Sequence, residues 1–318
     1  MTQTHWIAER LRQQWPSLEI TTEQIRTTGD RVTQVPLSQI GGDGVFVLEI
    51  EHALQERRID LAVHSLKDLP TLQPDGLHLV VVGPRQDVRD VLITSTALHL
   101  QQDDLQALYR ETHTPLRIGT SSLRRTAQLR EFYPGADIHS IRGNVDTRLK
   151  KLDAGDYDAI VLAAAGLHRL GLQEQLANRM TYLPPEMMMP APGQGALAIE
   201  IRDEPEMRDL LAPLHDEYVQ AETSAERMFM RRLGAGCYLP VAAHGRIKDE
   251  LFTLRGLVIS LDGQRRIHVQ QSIPWTTEMI DEQAEQLGVS LAEEALAQGA
   301  YAIVHEIDAI REQEQLHV

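Results

Sequence analysis

LRIGTSSLRRTAQLREF, residues 116–132, joins a short apolar strand to an amphipathic helix through a turn of small hydroxyl residues. The same order of strand, turn and helix recurs at 136–154, and again at 159–163 with a short helix around Leu167. Strands that alternate with helices of this length form right-handed βαβ units, in which the strands pair in parallel. This part of the chain therefore predicts an α/β domain.

The segment before residue 95 predicts similar elements in a less regular order. Two short apolar runs, Ile59–His64 and Leu77–Val82, suit buried parallel strands. Thr2–Trp15 and Val45–Arg57 have helical periodicity, and the alternation at Leu18–Arg26 predicts a strand. We expect a second α/β domain here.

The last third of the chain predicts a smaller domain. A long helix at Tyr218–Leu233 precedes three strand patterns and then two helical ones, an order typical of an α+β domain. A length of 318 residues also favours more than one core. We predict domain 1 at residues 1–94 and 196–215, domain 2 at 97–190 and domain 3 at 218–318.

Composition excludes several classes of protein. The net charge of −15 argues against a general nucleic-acid surface, which needs clustered cations. No apolar run approaches the ~18 residues that span a bilayer, and the N-terminus has no signal-peptide pattern, so we expect a cytoplasmic protein that is not in a membrane. The 13 histidines form no HExxH or Cys/His pattern, and no metal is predicted.

The segment HSLKDLP, residues 64–70, follows a predicted buried strand. Open α/β sheets bind ligands at the carboxyl ends of their strands, so Lys67 and Asp68 are candidates for chemistry. Asp68 could move a proton or stabilise a cationic intermediate. The alternative is an exposed charged turn closed by Pro70.

Arginines cluster at three successive strand ends of the second block. They are Arg124, Arg125, Arg142, Arg148 and Arg169. Guanidinium groups bind carboxylates and phosphates in bidentate fashion, and hydroxyl residues at a helix start add backbone donors for anions. The cluster predicts a pocket for several anionic groups; taken singly, each arginine could instead be a solvated residue on a helix face.

The single cysteine, Cys237, lies in GAGCYLP, residues 234–240. It is either a small packing residue or a thiol presented to a ligand through its glycine neighbours. A non-catalytic anion-binding module needs neither this cysteine nor the Lys67–Asp68 pair. A cysteine-nucleophile enzyme would need a histidine base, and no histidine near Cys237 is evident.

Six segments in order resemble the porphobilinogen deaminase (hydroxymethylbilane synthase) family of tetrapyrrole biosynthesis, from residue 1 to about 315. They are HSLKDLP (64–70), GTSSLRR (119–125), IRGNVDTR (141–148), LAAAGLHRLGL (162–172), PAPGQGALAIE (190–200) and GAGCYLP (234–240). The resemblance implies two domains like those of periplasmic binding proteins, a small C-terminal domain and a monomer. It implies an enzyme that joins four porphobilinogen molecules, with loss of ammonia, into hydroxymethylbilane.

The resemblance also implies a cofactor and site residues. A dipyrromethane would be held by a thioether to Cys237, Asp68 would be the catalytic aspartate, and Phe46 would lie on a mobile active-site loop. The residues implied in binding carboxylates of cofactor and substrate are Ser65, Lys67, Thr120, Ser121, Ser122, Arg124, Arg125, Arg142, Gly143, Asn144, Arg148, Arg169 and Gln194.

Two features depart from the family pattern. Gln39 and Asp43 stand where members usually carry lysines, which puts a cationic role of this loop in doubt. The family opens with a strand and an Arg-x-Ser turn, whereas this sequence begins inside the first helix, at Met1. We expect Met1 to be an internal methionine, and a chain that truly starts there to have an unstable first domain and weak or no activity.

Overall fold

The computed structural model describes residues 1–25, 47–96, 98, 115–234 and 239–307. Helices cover about the segments that periodicity predicts, and residues 300–307 are helical as well. In chain order, the helices are α1 (Thr2–Gln14), α2 (Leu48–Gln55), α3 (Leu123–Phe132), α4 (Val145–Asp153), α5 (Ala164–Arg169), α6 (Gln173–Leu176), α7 (Pro205–Leu211), α8 (Glu217–Arg232) and α9 (Ile280–Ala297).

The strands form three separate sheets, each with its own apolar core. In chain order, they are β1 (Leu61–Ser65), β2 (Leu77–Val82), β3 (Asp90–Thr94), β4 (Arg117–Gly119), β5 (Asp137–His139), β6 (Ala159–Ala163), β7 (Met180–Leu183), β8 (Leu197–Arg202), β9 (Val241–Lys248), β10 (Leu251–Ile259) and β11 (Arg266–Pro274).

The first sheet has the order β1-β8-β2, and β8 runs antiparallel to both neighbours. The prediction of parallel pairing for β1 and β2 is wrong: neither strand has a parallel neighbour in the described part of the sheet. The reason is that β8, which follows more than 100 residues later in the chain, inserts between them. Helix α1 buries Ile7 and Leu11 against Ile199 and Ile201. Residues 18–25 contain no strand, contrary to the prediction for that segment.

The second sheet has the order β5-β4-β6-β3-β7. Its βαβ half is confirmed, since β4 pairs in parallel with β5 and β6. Strand β3 pairs antiparallel with β6 and β7. Residues 90–94, which the sequence assigned to domain 1, thus belong to this sheet: their apolar pattern predicts a strand but not its partners. The rest of the domain division stays a proposal.

The C-terminal region is an antiparallel meander of β9, β10 and β11, against which α8 and α9 pack. Its core contains Phe229 of α8, Phe252 of β10 and Leu291 of α9, all fully buried. The core leaves no room for a side chain at Gly256, because a Cβ there would come within 2.4 Å of the Phe229 ring. The predicted fold class, two α/β domains with a small C-terminal α+β domain, is confirmed.

Two chain segments cross between the first and second sheets, residues 83–89 and 184–196. They contact each other, since the Gln86 N–H donates to the Gly195 carbonyl at 3.1 Å. Gly195 has a φ of 90°, and a Cβ there would come within 2.4 Å of the Gln86 carbonyl oxygen. The crossing therefore requires glycine at this position.

Candidate active site

The turn after β1 carries the lysine and aspartate that the sequence singles out. The Asp68 side chain is exposed, whereas Lys67 is half-buried. Burial lowers the pKa of Lys67 from 10.5 to about 8, although the charge of Asp68 opposes the shift. Ser65 accepts a hydrogen bond from the Gln3 side chain at 2.9 Å. The turn presents a carboxylate beside an ammonium group whose charge is lost as the pH rises through about 8.

The two arginines at the start of α3 are buried against an aspartate. Asp90 is 0% exposed and accepts hydrogen bonds from Arg124 Nη2 at 2.8 Å and Arg125 Nη2 at 2.7 Å. Arg124 also donates to the Met189 carbonyl at 2.6 Å, and Arg125 to the Val161 carbonyl at 2.9 Å. Burial opposes the charge of Asp90, but the two guanidinium groups outweigh it and hold its pKa well below its usual range. Both guanidinium groups are thus hydrogen-bonded within the protein, to Asp90 and to backbone carbonyls. Their contact with ligand carboxylates stays a prediction.

Gln194 connects this pair to the turn after β1. Its fully buried side chain donates from Nε2 to Asp90 at 3.0 Å and to the Val88 carbonyl at 2.7 Å. Its Oε1 accepts a hydrogen bond from Lys67 Nζ at 3.4 Å. Gln194 therefore links a site residue of the first sheet with the arginines beside the second.

Arg148 and Arg169 have different surroundings. Arg148 donates to the Gly143 carbonyl at 2.7 Å, and Arg169 to the Gly195 carbonyl at 2.8 Å. Among the described residues, no carboxylate is hydrogen-bonded to either guanidinium. Burial lowers the pKa of both, to about 10 for Arg169, while the charge of Asp68 acts in the opposite direction. Cations that are partly desolvated and lack a carboxylate partner are suited to bind an anionic ligand.

The hydroxyl residues before α3 hold the turn itself. Thr120 Oγ1 accepts from the Ser122 N–H at 3.2 Å, and Ser122 Oγ caps the helix by accepting from the Arg125 N–H. Ser121 Oγ accepts from the Ile141 N–H at 3.1 Å. These bonds tie together the turns after β4 and β5, where the sequence predicts anion binding.

The next turn, after β5, is built on a glycine and an asparagine. Gly143 has a φ of 111°, and a Cβ there would come within 2.6 Å of Thr147. Asn144 caps α4 by accepting from the Thr147 N–H at 2.9 Å. Arg142 is half-buried in the same turn, and its carbonyl accepts from Lys151 at 3.4 Å. The predicted residues of this motif are therefore adjacent, with two of them shaping the turn.

Sequence reasoning missed an ion pair where the crossing segments meet α8. Arg85 lies 2.9 Å from Glu226 and 3.3 Å from Glu222. Glu226, fully buried, also accepts from the Gly193 N–H and the Gly245 N–H, both at 2.7 Å. The available signal was the four-residue spacing of the two glutamates, which puts them on one helix face.

Several predicted residues lie outside the described part of the chain. These are Cys237, Phe46, Gln39 and Asp43. Within the described residues, no group of three or more His, Cys, Asp or Glu could hold a metal ion. Among the helices of those same residues, none combines the length and the apolar character required to cross a bilayer.

Two family models match the chain. One is described as "Porphobilinogen deaminase, dipyromethane cofactor binding domain" and covers residues 1–209. The other is described as "Porphobilinogen deaminase, C-terminal domain" and covers residues 221–297.

Curated relatives carry the same name. The porphobilinogen deaminase of Syntrophobacter fumaroxidans is 43% identical over 92% of this chain and 89% of its own length. That of Syntrophotalea carbinolica is 44% identical over 96% and 92%. Among solved structures, the chain is similar to a probable amino-acid ABC transporter extracellular-binding protein of Bacillus subtilis, with 12% identity over 70% of this chain and 83% of that chain and a TM-score of 0.39.

Proposed function

The chain belongs to the porphobilinogen deaminase family, and on that basis we propose which of its residues perform the reaction. The reaction joins four porphobilinogen molecules head to tail on a covalently bound dipyrromethane primer; hydrolysis of the bond to the primer then releases hydroxymethylbilane for tetrapyrrole synthesis. Each addition breaks the bond between the aminomethyl carbon and its nitrogen, releases ammonia, and joins that carbon to the free α-carbon of the terminal pyrrole. That α-carbon then loses its proton.

We call the surroundings of Asp68, Arg148 and Arg169 the candidate cleft; its cations suit a ligand that carries several carboxylates, such as the primer. Arg148 and Arg169 are partly desolvated cations that bond only to backbone carbonyls among the described residues. This single observation carries the proposal, because an anion would restore the solvation that both guanidinium groups have lost. Lys67, next to Asp68 in the turn after β1, adds a third cation. Cys237 would supply the thioether. When bound, the primer supplies the nucleophilic pyrrole carbon for the first addition.

Asp68 is the proposed catalytic residue. Burial lowers the pKa of Lys67, Arg148 and Arg169, and the exposed Asp68 carboxylate lies close enough to all three for its charge to oppose that shift. Loss of ammonia leaves positive charge on the pyrrole nitrogen of the substrate. A fixed carboxylate stabilises such charge where it develops, and Asp68 can also accept the proton that the α-carbon loses.

Other residues have supporting roles in this proposal. Arg124 and Arg125 would make the surroundings of Lys67 more positive, since two cations face the single charge of Asp90. Gln194 fixes Lys67 relative to that pair. Most of the remaining predicted binders form the turns after β4 and β5: Thr120, Ser121, Ser122, Arg142, Gly143 and Asn144. Ser65 lies at the end of β1, where it accepts a hydrogen bond from Gln3. Phe46 would cover the cleft from its loop.

We also propose that the enzyme is a monomer in the cytoplasm and binds no nucleic acid. The family resemblance supports the monomer, and the net charge of −15 supports the lack of nucleic-acid binding. Sedimentation equilibrium at micromolar concentration should give a mass near 36 kDa, that is, near the 35.8 kDa of the chain.

The test of the site is Asp68→Asn, with Asp75→Asn as the control, since Asp75 is an exposed aspartate of the following loop. We expect the rate of hydroxymethylbilane formation to fall by roughly 10²–10⁴ in the first variant, the usual effect of removing a general acid or base. The control should keep the wild-type rate. A rate within twofold of wild type for Asp68→Asn would remove Asp68 from the mechanism.

A further inference from the structure

Helix α8 contacts the turn that carries Lys67 and Asp68. Its half-buried Arg227 donates from Nη1 to the Leu69 carbonyl at 3.2 Å and from Nη2 to the Pro70 carbonyl at 2.6 Å. Both acceptors directly follow Asp68 in the chain. Hydrogen bonds from a charged donor are roughly twice as strong as neutral ones. One side chain of α8 thus holds the far end of this turn.

The near end of the same turn is held by the second crossing segment. The Leu66 N–H donates to the Ala196 carbonyl at 3.1 Å. Gly193 packs so closely that a Cβ there would come within 3.0 Å of Leu66 Cγ. The Gly193 N–H in turn donates to Glu226, the residue before Arg227, at 2.7 Å. Two adjacent residues of α8 therefore fix both ends of the turn, one directly and one through the crossing segment.

The Asp68 carboxylate depends on this turn for its position. Its side chain is exposed and has no hydrogen-bond or ion-pair partner among the described residues. Leu66–Asp68 is a single turn of 3₁₀ helix, closed by the bond from the Leu69 N–H to the Leu66 carbonyl at 3.2 Å. Hydrogen bonds in such turns have poorer geometry than those of an α-helix. The carboxylate therefore moves when the turn moves.

We propose that Arg227 is a positioning residue of the reaction: by holding the Leu69 and Pro70 carbonyls, it fixes the Asp68 carboxylate relative to the substrate. The inference rests on the proposed function of Asp68. The proposed anchor of the primer, Cys237, follows the same helix five residues after its end, so one continuous stretch of chain connects carboxylate and anchor. A misplacement of 1 Å at a reacting group can cost on the order of 100-fold in rate.

The experiment is a double-mutant cycle on kcat with Arg227→Met and Asp68→Asn. Methionine is unbranched like arginine but has no donor. We expect Arg227→Met to lower kcat about tenfold, since the bonds at the near end of the turn remain. KM for porphobilinogen should change less than twofold, because the arginines of the candidate cleft are unaltered. In the Asp68→Asn background, Arg227→Met should lower kcat less than twofold, because the carboxylate that it misplaces is absent. Arg227→Lys, which keeps a charged donor, should lose less than Arg227→Met.

Amide hydrogen exchange gives a second readout, which does not depend on turnover. In Arg227→Met, the Leu66 and Leu69 amides should exchange about tenfold faster, while those of β9 and β10 keep their rates. A general loss of stability would speed exchange in both places. The control is Arg246→Met, which removes an exposed arginine of β9 and should leave kcat and all exchange rates unchanged.

The possible failures are distinguishable. If Arg227→Met lowers kcat by the same factor in both backgrounds, or stays within twofold of wild type, the positioning role is refuted. The proposed function of Asp68 stands in either case as long as Asp68→Asn alone loses activity. If Asp68→Asn keeps the wild-type rate, that proposed function fails and the role of Arg227 fails with it. Should Arg227→Met not fold, the same cycle with Arg227→Gln decides.

Discussion

Replacing Asp90 by asparagine tests how the arginine pair of α3 is held. Asp90 is completely buried and accepts hydrogen bonds from both guanidinium groups and from Gln194. Asparagine has the same shape but no charge, so two buried cations lose their only carboxylate among the described residues. Removing one partner of a buried ion pair costs about 3–5 kcal/mol. For a domain of this size, that loss lowers the melting temperature by on the order of 10 °C.

The assay is thermal unfolding followed by circular dichroism, with Asp137→Asn as the matched control. Asp137 also pairs with a neighbour, His139 at 2.7 Å, but its side chain is 54% exposed. Exposed pairs contribute about 0–1 kcal/mol, so the control should shift the melting temperature by at most a few degrees. If Asp90→Asn melts within 2 °C of the control, the ion-pair cluster does not stabilise the second domain.

The pH dependence gives a second check on the same cluster. The folded-state pKa of Asp90 lies below its unfolded value of 3.8, so its stabilisation is complete above that pH and is lost as the pH falls through the folded value. The difference in stability between wild type and Asp90→Asn should thus be constant from pH 7 to 5 and shrink below pH 4. A difference that grows on acidification contradicts the assignment.

Three further predictions concern other parts of the cleft and its supports. Lys67 loses its charge near pH 8, so KM for porphobilinogen should rise between pH 7.5 and 9. Lys67→Arg keeps its charge over this range and should show no such rise in KM. If KM of Lys67→Arg rises as in the wild type, Lys67 is not the cause. Gly195→Ala should lower the free energy of unfolding, measured in urea, by about 2–4 kcal/mol, and the control Gly155→Ala should lower it by about 1 kcal/mol. Both glycines have a positive φ, but only a Cβ at position 195 would clash with a neighbouring atom. Equal losses in the two variants would contradict this explanation. His64→Leu should cost about 1–3 kcal/mol, because the fully buried Glu200 carboxyl loses the His64 ring nitrogen that lies 3.2 Å from it. Adding Glu200→Leu should recover part of that loss, and additive losses would show that the two side chains do not interact.

Local patterns predict much of the fold because each βαβ unit is contiguous in sequence. The strand, turn and helix at 116–132 lie where periodicity places them, and so do the meander and helices after residue 240. Strand β8 escapes this reasoning, since nothing within Leu197–Arg202 indicates that it inserts between β1 and β2. Strand β3 is similar: its sequence predicts an extended segment, but its paired residues are at least 65 positions away along the chain.

The site was predictable where its residues follow strands, and not where distant residues meet. Asp68, Arg148 and Arg169 follow β1, β5 and β6, and the charge of Asp68 acts on both guanidinium groups; that they form one site stays a proposal. Asp90 has no such signal, because an acidic residue before an apolar run is indistinguishable from an ordinary turn residue until Arg124 packs against it.

The measurement that tests the central claim most directly is the intact mass of the purified protein, with Cys237→Ser beside it. We predict that the wild type exceeds its sequence mass by the mass of a two-pyrrole adduct and reacts with Ehrlich's reagent, whereas Cys237→Ser has its bare mass and gives no colour. A bare mass for a wild type that still forms hydroxymethylbilane, or an adduct that persists in Cys237→Ser, would contradict the assignment of Cys237 as the anchor of the dipyrromethane.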